Sequence, residues 1–478
     1  MKNSRILCSR SYSTKLQLPK CGVNPAVYKG LSLEEMVTIR KKNLNPTMTT
    51  YYRKPLAFHS ASKQWLFDID GNRYLDMFGG ISTVSVGHCH SKITKALAEQ
   101  SNILGHVSNV YFTEKIHEYA KRLADTMPGN LKCVYFVNSG SEANDLALLM
   151  ARAHTGRYDV FSLKNCYHGM TYQVMEMTSL NTYKFSVPGS PGIYKTAVPD
   201  VYKGIWGGNK CRDSPVQADR KCSCMGVCEA GISYIEEFKS DLAHMVSKHN
   251  LAGFWAETIQ GVGGIVQFPK NYIKGVYEVV KQHGGLFVAD EVQAGFGRTG
   301  DHFWGFEMHG ITPDIVTMAK GIGNGFPLAA VVTTPEIAQG LGKATYFNTF
   351  GGNPLACAVG MAVLDIIEEE KLQENAKTVG TKLLLDLAKL RDKYEIVGDV
   401  RGKGLMIGME LVDDKTSKKP LSSEKCVDIM EKCKSMGLVV GKGGLYGNVL
   451  RLSPPMCITQ QDATFTVEVL DKALSEVN

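Results

Sequence analysis

Lys320 closes an apolar run, Ile315-Val316-Thr317-Met318-Ala319, and is followed by Gly321-Ile322-Gly323-Asn324-Gly325. A lysine at the end of a buried strand is poorly placed for solvent, so its amine should lose proton affinity and become a nucleophile toward carbonyls. The glycines behind it leave room for a bound group. Asp290 ends a second run, Leu286-Phe287-Val288-Ala289, and Gln293 lies three residues on. That acid and acceptor could bind a protonated ring nitrogen and a neighbouring hydroxyl, although an Asp capping the next helix is an equally good account taken singly. Glu257 follows another strand-like run and precedes Gln260-Gly261-Val262-Gly263-Gly264; a carboxylate at a buried strand end needs a partner or a task. Tyr167-His168-Gly169 could stack on a flat heteroaromatic ring, but alone reads as ordinary packing. In Asn138-Ser139-Gly140-Ser141-Glu142-Ala143-Asn144, Ser139 and Glu142 have capping-box spacing, and Gly140 would let a phosphate approach the free N–H groups of a helix start. By itself this is a plain helix cap, and it is neither a Walker loop nor a GxGxxG turn.

These residues share a position. From about residue 113 to 330, amphipathic helices alternate with short apolar runs, the pattern of βαβ units around a largely parallel sheet. Strands are expected at Cys133–Val137, Asp159–Leu163, Gly253–Ala256, Gly285–Ala289 and Ile315–Ala319, apolar on both faces as a doubly covered sheet requires. Ligands of open α/β sheets bind beyond the carboxyl ends of the strands, so five distant segments could meet in one crevice. Upstream, Gln64 to Asp76 reads as a β-hairpin about Asp70-Gly71-Asn72. Downstream, Asn353-Pro354 opens a helix from Leu355 to about Lys371. Strands Glu395–Val397 and Leu405–Leu411 are then expected to join through an Arg401-Gly402-Lys403-Gly404 turn. A helix from about Ser423 to Gly437 and another from about Gln461 would complete a smaller α+β domain.

Composition narrows the function classes. The apolar share (44%) and charged share (21%) are those of a soluble globular protein, and no apolar run reaches the roughly 18–20 residues that span a bilayer. Six of the seven excess positive charges lie in residues 1–33, which contain no acid, leaving one for the rest. A basic groove for nucleic acid is therefore not indicated. The acid-free start fits a mitochondrial transit peptide, with Arg10-Ser11-Tyr12-Ser13 placing cleavage after Tyr12. Thirteen scattered cysteines without a secretory signal argue for reduced thiols. Cys211, Cys222, Cys224 and Cys228 cluster, but their C-x10-C-x-C-x3-C spacing lacks a paired C-x2-C knuckle. Reduced thiols in a surface loop are expected there, and no metal is assigned.

Together, the Asn138–Asn144 turn, Tyr167-His168-Gly169, Asp290-Glu291-Val292-Gln293, Ala319-Lys320-Gly321, Thr349-Phe350-Gly351-Gly352-Asn353-Pro354 and Val400-Arg401-Gly402-Lys403-Gly404 resemble the class-III (ω-type) aminotransferases. The similarity runs from about Tyr51 to the C terminus; each piece is weak, but their order and spacing are specific. The insertion from Gly204 through Cys211-Arg212-Asp213-Ser214-Pro215 to Cys222-Ser223-Cys224 resembles a mitochondrial subgroup that moves amino groups from alanine to glyoxylate. Thr258 departs from the pattern, which usually has Pro after the strand-end Glu.

The resemblance implies an α/β fold, that of the fold type I transferases dependent on pyridoxal 5′-phosphate, with a large, mostly parallel domain and a smaller α+β domain. The expected divisions are a transit peptide or disordered tail at 1–33, a segment joining the small domain at 34–90, the cofactor-binding domain at 91–353 and the small domain at 354–478. Lys320 would hold the cofactor as a Schiff base and shuttle protons, and Asp290 would keep its ring nitrogen protonated. Gln293 would meet the ring hydroxyl, Tyr167 would stack with support from His168, and Gly140 and Ser141 would hold the phosphate. Thr349 would reach that phosphate across a homodimer interface with shared sites, a homotetramer being left open. Arg401 would clamp the substrate carboxylate and pair with Glu257 when none is bound. The expected reaction transfers an amino group from alanine or β-aminoisobutyrate to glyoxylate in the matrix. The alternative is a phospho-lyase acting on a phosphorylated amine with the same Lys320 and Asp290. Partners would be amino acids and 2-oxo acids, without nucleic acid or membrane.

Overall fold

The computed structural model describes residues 16–477 apart from 26 and 48. Its strands are β1 (Phe58–Ser62), β2 (Trp65–Asp68), β3 (Arg73–Asp76), β4 (Cys133–Val137), β5 (Asp159–Leu163), β6 (Ile193–Thr196), β7 (Leu251–Glu257), β8 (Leu286–Asp290), β9 (Ile315–Met318), β10 (Ala329–Thr333), β11 (Val397–Lys403), β12 (Met406–Asp414), β13 (Lys419–Pro420), β14 (Leu438–Val439), β15 (Gly441–Gly443) and β16 (Val449–Leu452).

The central sheet has the order β4-β10-β9-β8-β7-β5-β6. Strands β6, β5, β7, β8 and β9 run parallel, while β10 returns antiparallel between β9 and β4. Strands β5, β7, β8, β9 and β10 are buried along their whole length, because helices cover both faces and leave no position for a solvated side chain. Their register aligns Glu257 with Asp290 and Asp290 with Thr317. The carboxyl ends of β7, β8 and β9 therefore form a single rim.

The hairpin of β2 and β3 forms at the expected turn, where Asp68 Oδ1 accepts the N–H groups of Asp70 (3.0 Å) and Asn72 (2.8 Å). It lies in a four-stranded sheet, β1-β2-β3-β14, which brings the N-terminal part of the chain onto the C-terminal part. The helices Pro354–Glu369, Ser423–Ser435 and Gln460–Ser475 match expectation to within two residues.

Two expectations are corrected. The run Arg401–Lys403 is strand, not turn: Arg401 pairs with Gly408 inside β11, and only Gly404-Leu405 turns the chain. Glycine is required at 404, where φ is +56° and a Cβ would lie 2.4 Å from the Arg298 carbonyl oxygen. Second, the tail does not extend to residue 33 as a separate piece. Leu16, Leu18 and Cys21 pack against the main core, and the Pro19 carbonyl accepts from Arg73 Nη2 at 2.8 Å. The cleavage position after Tyr12 lies outside the described residues. No helix among the described residues is long and apolar enough to cross a membrane.

Candidate active site

The carboxyl rim of the sheet gathers the polar residues that end its strands. Asp290 closes β8 and is 3% exposed. Its Oδ2 accepts from His168 Nδ1 (2.7 Å) and Asn144 Nδ2 (2.9 Å), while Oδ1 takes only the Val292 N–H (3.1 Å). One Oδ1 lone pair is therefore left for an outside donor. Asn144, fully buried in the helix Gly140–Thr155, also donates to the His168 carbonyl (2.9 Å) and accepts from Thr317 Oγ1 (3.0 Å). It thereby ties that helix, the Tyr167-His168 loop, β8 and β9 to one another. Burial opposes a charge on His168, but Cys166 and Asp290 outweigh it and raise its proton affinity well above the ordinary histidine value.

Lys320 follows β9 in a left-handed backbone conformation (φ +53°), which costs a non-glycine residue on the order of 1 kcal/mol. Among the described residues its Nζ makes no hydrogen bond or ion pair. Burial pushes the amine down to about 8; Arg451 and Arg298 add to this, and Asp290 and Glu257 oppose it.

Glu257, at the end of β7, accepts from the Tyr167 N–H (3.1 Å) and the Gly261 N–H (2.7 Å). Burial lifts its carboxyl to about 7. The Tyr167 ring packs edge-on against Tyr183 with centroids 4.9 Å apart. Thr258 is buried, and its carbonyl accepts from His309 Nε2 at 3.0 Å.

The helix Gly140–Thr155 starts as its sequence suggests: Ser139 Oγ accepts from the Glu142 N–H. The Glu142 carboxylate reaches one residue further back than a capping box does, to the Asn138 N–H (2.7 Å). The N–H groups of Gly140 and Ser141 have no intrahelical acceptor. Gly169 (φ +135°) lies so close to Ser141 that a Cβ would come within 2.6 Å of its Oγ. A bare backbone therefore walls the helix start.

The structure places Arg401, the carboxylate clamp implied by the resemblance, in a buried ion-pair network. It is 2% exposed, and Nη1 and Nη2 pair with Asp399 (3.0 Å) and Glu410 (2.7 Å), while Nε and Nη2 donate to the Gly264 carbonyl. Burial opposes its charge, but Glu410 and Asp399 hold the proton above even the usual arginine range. The expected pair with Glu257 is absent: the Arg401 guanidinium is held by Asp399, Glu410 and the Gly264 carbonyl instead. A second arginine, missed in the sequence, does face the site. Arg451 on β16 is 1% exposed, donates from Nη2 to Gln293 Oε1 (2.7 Å), and leaves Nε without a partner. No carboxylate pairs with it among the described residues. Its signal was a charge inside the apolar run Val449-Leu450-Arg451-Leu452. Thr349, by contrast, is exposed and is not drawn into the cluster.

A family model described as aminotransferase class-III matches residues 48–474. The chain belongs to the class-III aminotransferases. Mitochondrial alanine–glyoxylate aminotransferase 2 of Homo sapiens is 53% identical over 468 residues, 98% of this chain and 91% of that protein. Homolog 2 of the same enzyme in Arabidopsis thaliana is 45% identical over 461 residues, 96% of this chain and 91% of that one. A phospholyase from Arthrobacter, solved in complex with phosphoethanolamine, superposes with a TM-score of 0.84 at 30% identity, covering 93% of this chain and 100% of that one. The α/β fold expected from the strand pattern is thus that of the class-III aminotransferases, and membership implies pyridoxal phosphate. The residues present fit that group: an unpartnered amine on a half-buried lysine, an acid with a spare lone pair, and a helix start walled by glycine.

Proposed function

We propose that the chain transfers an amino group from alanine, or a related donor such as β-aminoisobutyrate, to glyoxylate, giving pyruvate and glycine in a ping-pong cycle. The names of the curated relatives support this choice of substrates. The observation that carries the chemistry is the unpartnered Lys320 amine just beyond β9, where Asp290 ends the neighbouring strand β8.

Pyridoxal phosphate, when bound, supplies an electrophilic carbonyl and an electron-withdrawing ring. The Lys320 amine, mostly free only above about 8, would hold that carbonyl and would take the proton from the substrate Cα. Asp290, fixed by His168 and Asn144, keeps the ring nitrogen protonated. Gln293 meets the ring hydroxyl in an orientation set by Arg451, and Tyr167 covers the ring face. Gly140 and Ser141 hold the phosphate through N–H groups and the Ser141 hydroxyl. Arg451, with an open Nε and no acid partner, receives the substrate carboxylate. Arg401 is instead a positioning residue that binds β11 to β12 and to the Gly264 backbone.

A homodimer completes the site. Thr349 is flanked by exposed Phe347 and Phe350, and the His106 ring packs against Phe350 at a tilt of 52°, in a segment with exposed Val110, Tyr111 and Phe112. An apolar patch of this kind marks an interface, and Thr349 would reach the partner's phosphate site across it. The matrix location rests on the acid-free start and on the relatives' mitochondrial names.

Cofactor-loaded protein is expected to lose its yellow absorbance with alanine and regain it with glyoxylate, and Lys320→Ala to do neither. Phosphate released from phosphoethanolamine with the absorbance unchanged would instead favour the phospho-lyase reading, supported by the likeness to the Arthrobacter structure.

A further inference from the structure

The segment between Tyr202 and Glu229 contains neither helix nor strand, yet it is tied closely to the body. Arg212 forms a bidentate pair with buried Asp399 (2.7 and 2.8 Å), the same acid that holds Arg401. Asp213 pairs with Lys403, and the Cys211 carbonyl accepts from the Lys270 N–H at 2.7 Å. The apolar support is a small cluster of Val201, Tyr202, Cys211, Ala218 and Ala230. Segments with so little core are usually stapled.

Three cysteines converge where the staple is needed, and a fourth adjoins them. The sulfurs of Cys211, Cys222 and Cys224 all lie within 4.8 Å of one another. Cys228, at the start of the helix Glu229–Met245, lies beside them, its Sγ 4.0 Å from the Cys211 carbonyl oxygen. None of them is in a disulfide. Two backbone N–H groups point at sulfur, Cys224 to Cys222 Sγ and Glu229 to Cys224 Sγ, both at 3.4 Å. The helix start adds its positive end. Lys210, Arg220, Lys221 and Lys270 line the adjoining cavity of about 560 Å³. Amide donors aimed at sulfur, three clustered thiols with a fourth beside them and a cationic surround suit anionic thiolates around a soft cation. Spacing along the chain had argued against a metal, but the ligands meet through a fold of the loop, with no need of a C-x2-C knuckle.

We propose that Cys211, Cys222, Cys224 and Cys228 bind one structural zinc ion. Four thiols each give up a proton, and Zn²⁺ with four thiolates makes a closed tetrahedral site of net charge −2, which the four cations offset. With every position filled by protein, the ion has no open site for substrate. It clamps the loop so that Arg212 stays on Asp399.

Full-length protein, expressed with zinc and gel-filtered under thiol reductant, is expected to retain one equivalent of zinc by elemental analysis. Cys222→Ser/Cys224→Ser should lower that to near zero. Cobalt offered to the metal-stripped wild type should give intense thiolate-to-metal absorption and the visible bands of a tetrahedral ion. Stripping should also speed tryptic cleavage at Lys210, Arg220 and Lys221, and added zinc should slow it again. Wild-type protein without zinc after gel filtration, its four thiols freely titratable, would overturn the proposal. So would a disulfide among these cysteines found by peptide mapping of freshly prepared protein. Both readings use the wild type, so a misfolded variant cannot decide the matter.

Discussion

Replacing Arg401 by Gln separates two roles that an arginine near a carboxylate-binding site could play. The guanidinium is held by two buried acids at 3.0 and 2.7 Å and by the Gly264 carbonyl at 2.7 and 2.9 Å. Removing one member of a buried ion pair typically costs about 3–5 kcal/mol, because the abandoned charge stays in low dielectric. Here Asp399 keeps Arg212 and Glu410 keeps Lys203 at 2.6 Å, so the loss should fall near the lower end, about 3 kcal/mol. That lowers the folded-to-unfolded ratio by more than about a hundredfold. Urea unfolding should show it as an early transition, with KM for alanine shifted by less than about tenfold. Arg451→Gln should behave oppositely. It removes an open, charged donor, and hydrogen bonds to charged groups are worth about 1.5–3 kcal/mol, so KM for alanine should rise roughly 10- to 150-fold. An Arg401→Gln protein with the wild-type unfolding midpoint and a hundredfold higher KM would refute this assignment and restore Arg401 as the clamp.

Three further outcomes follow from the same geometry. The folded-state proton affinity of Lys320 lies below its ordinary value, so the free amine accumulates as pH rises and is mostly formed above about 8. Reconstitution of the apoenzyme with pyridoxal phosphate should therefore accelerate from pH 6 to about 8 and level off, and a flat profile would contradict the burial argument. Asp290→Asn keeps the shape of the site but not its charge, and should lower kcat about 10²- to 10³-fold while the cofactor stays bound; single-turnover absorbance would measure it. Thr349→Ala should leave the protein dimeric by light scattering but make the cofactor easier to lose on dialysis, and an unchanged loss rate would remove Thr349 from the phosphate site.

The strands that carry Lys320, Asp290 and Glu257 were legible because each is a short apolar run ending in a polar residue, a pattern that burial on both faces imposes. Strand β10 escaped, since only a short 3-10 turn at Lys320–Gly323 separates Ala329–Thr333 from β9, which breaks the alternation used to find the others. Arg401 was misplaced for a different reason. Glycines at 402 and 404 look like a turn, but they answer to close approaches from Met406 and Arg298 that only the tertiary structure reveals. The Arg451 strand was not read from the sequence, and nothing local distinguishes an arginine that faces a crevice from one that caps a sheet edge. Asn144 was likewise in plain view, but its four polar contacts reach three other segments, and spacing along one helix carries no trace of them.

The antiparallel return of β10 has a consequence for how such a protein can change. Every other link at this rim is a long excursion, whereas β9 passes to the adjacent β10 through residues 319–328 alone. That short bridge is pinned on its far side, with Ser85 Oγ donating to the Gly321 carbonyl and Asn324 donating to Gly87. A single added residue there would swing the amine out of alignment with both neighbouring strands. Lengthening and shortening are tolerable elsewhere around the crevice, so new substrate preferences should arise from the long excursions while this bridge keeps its length.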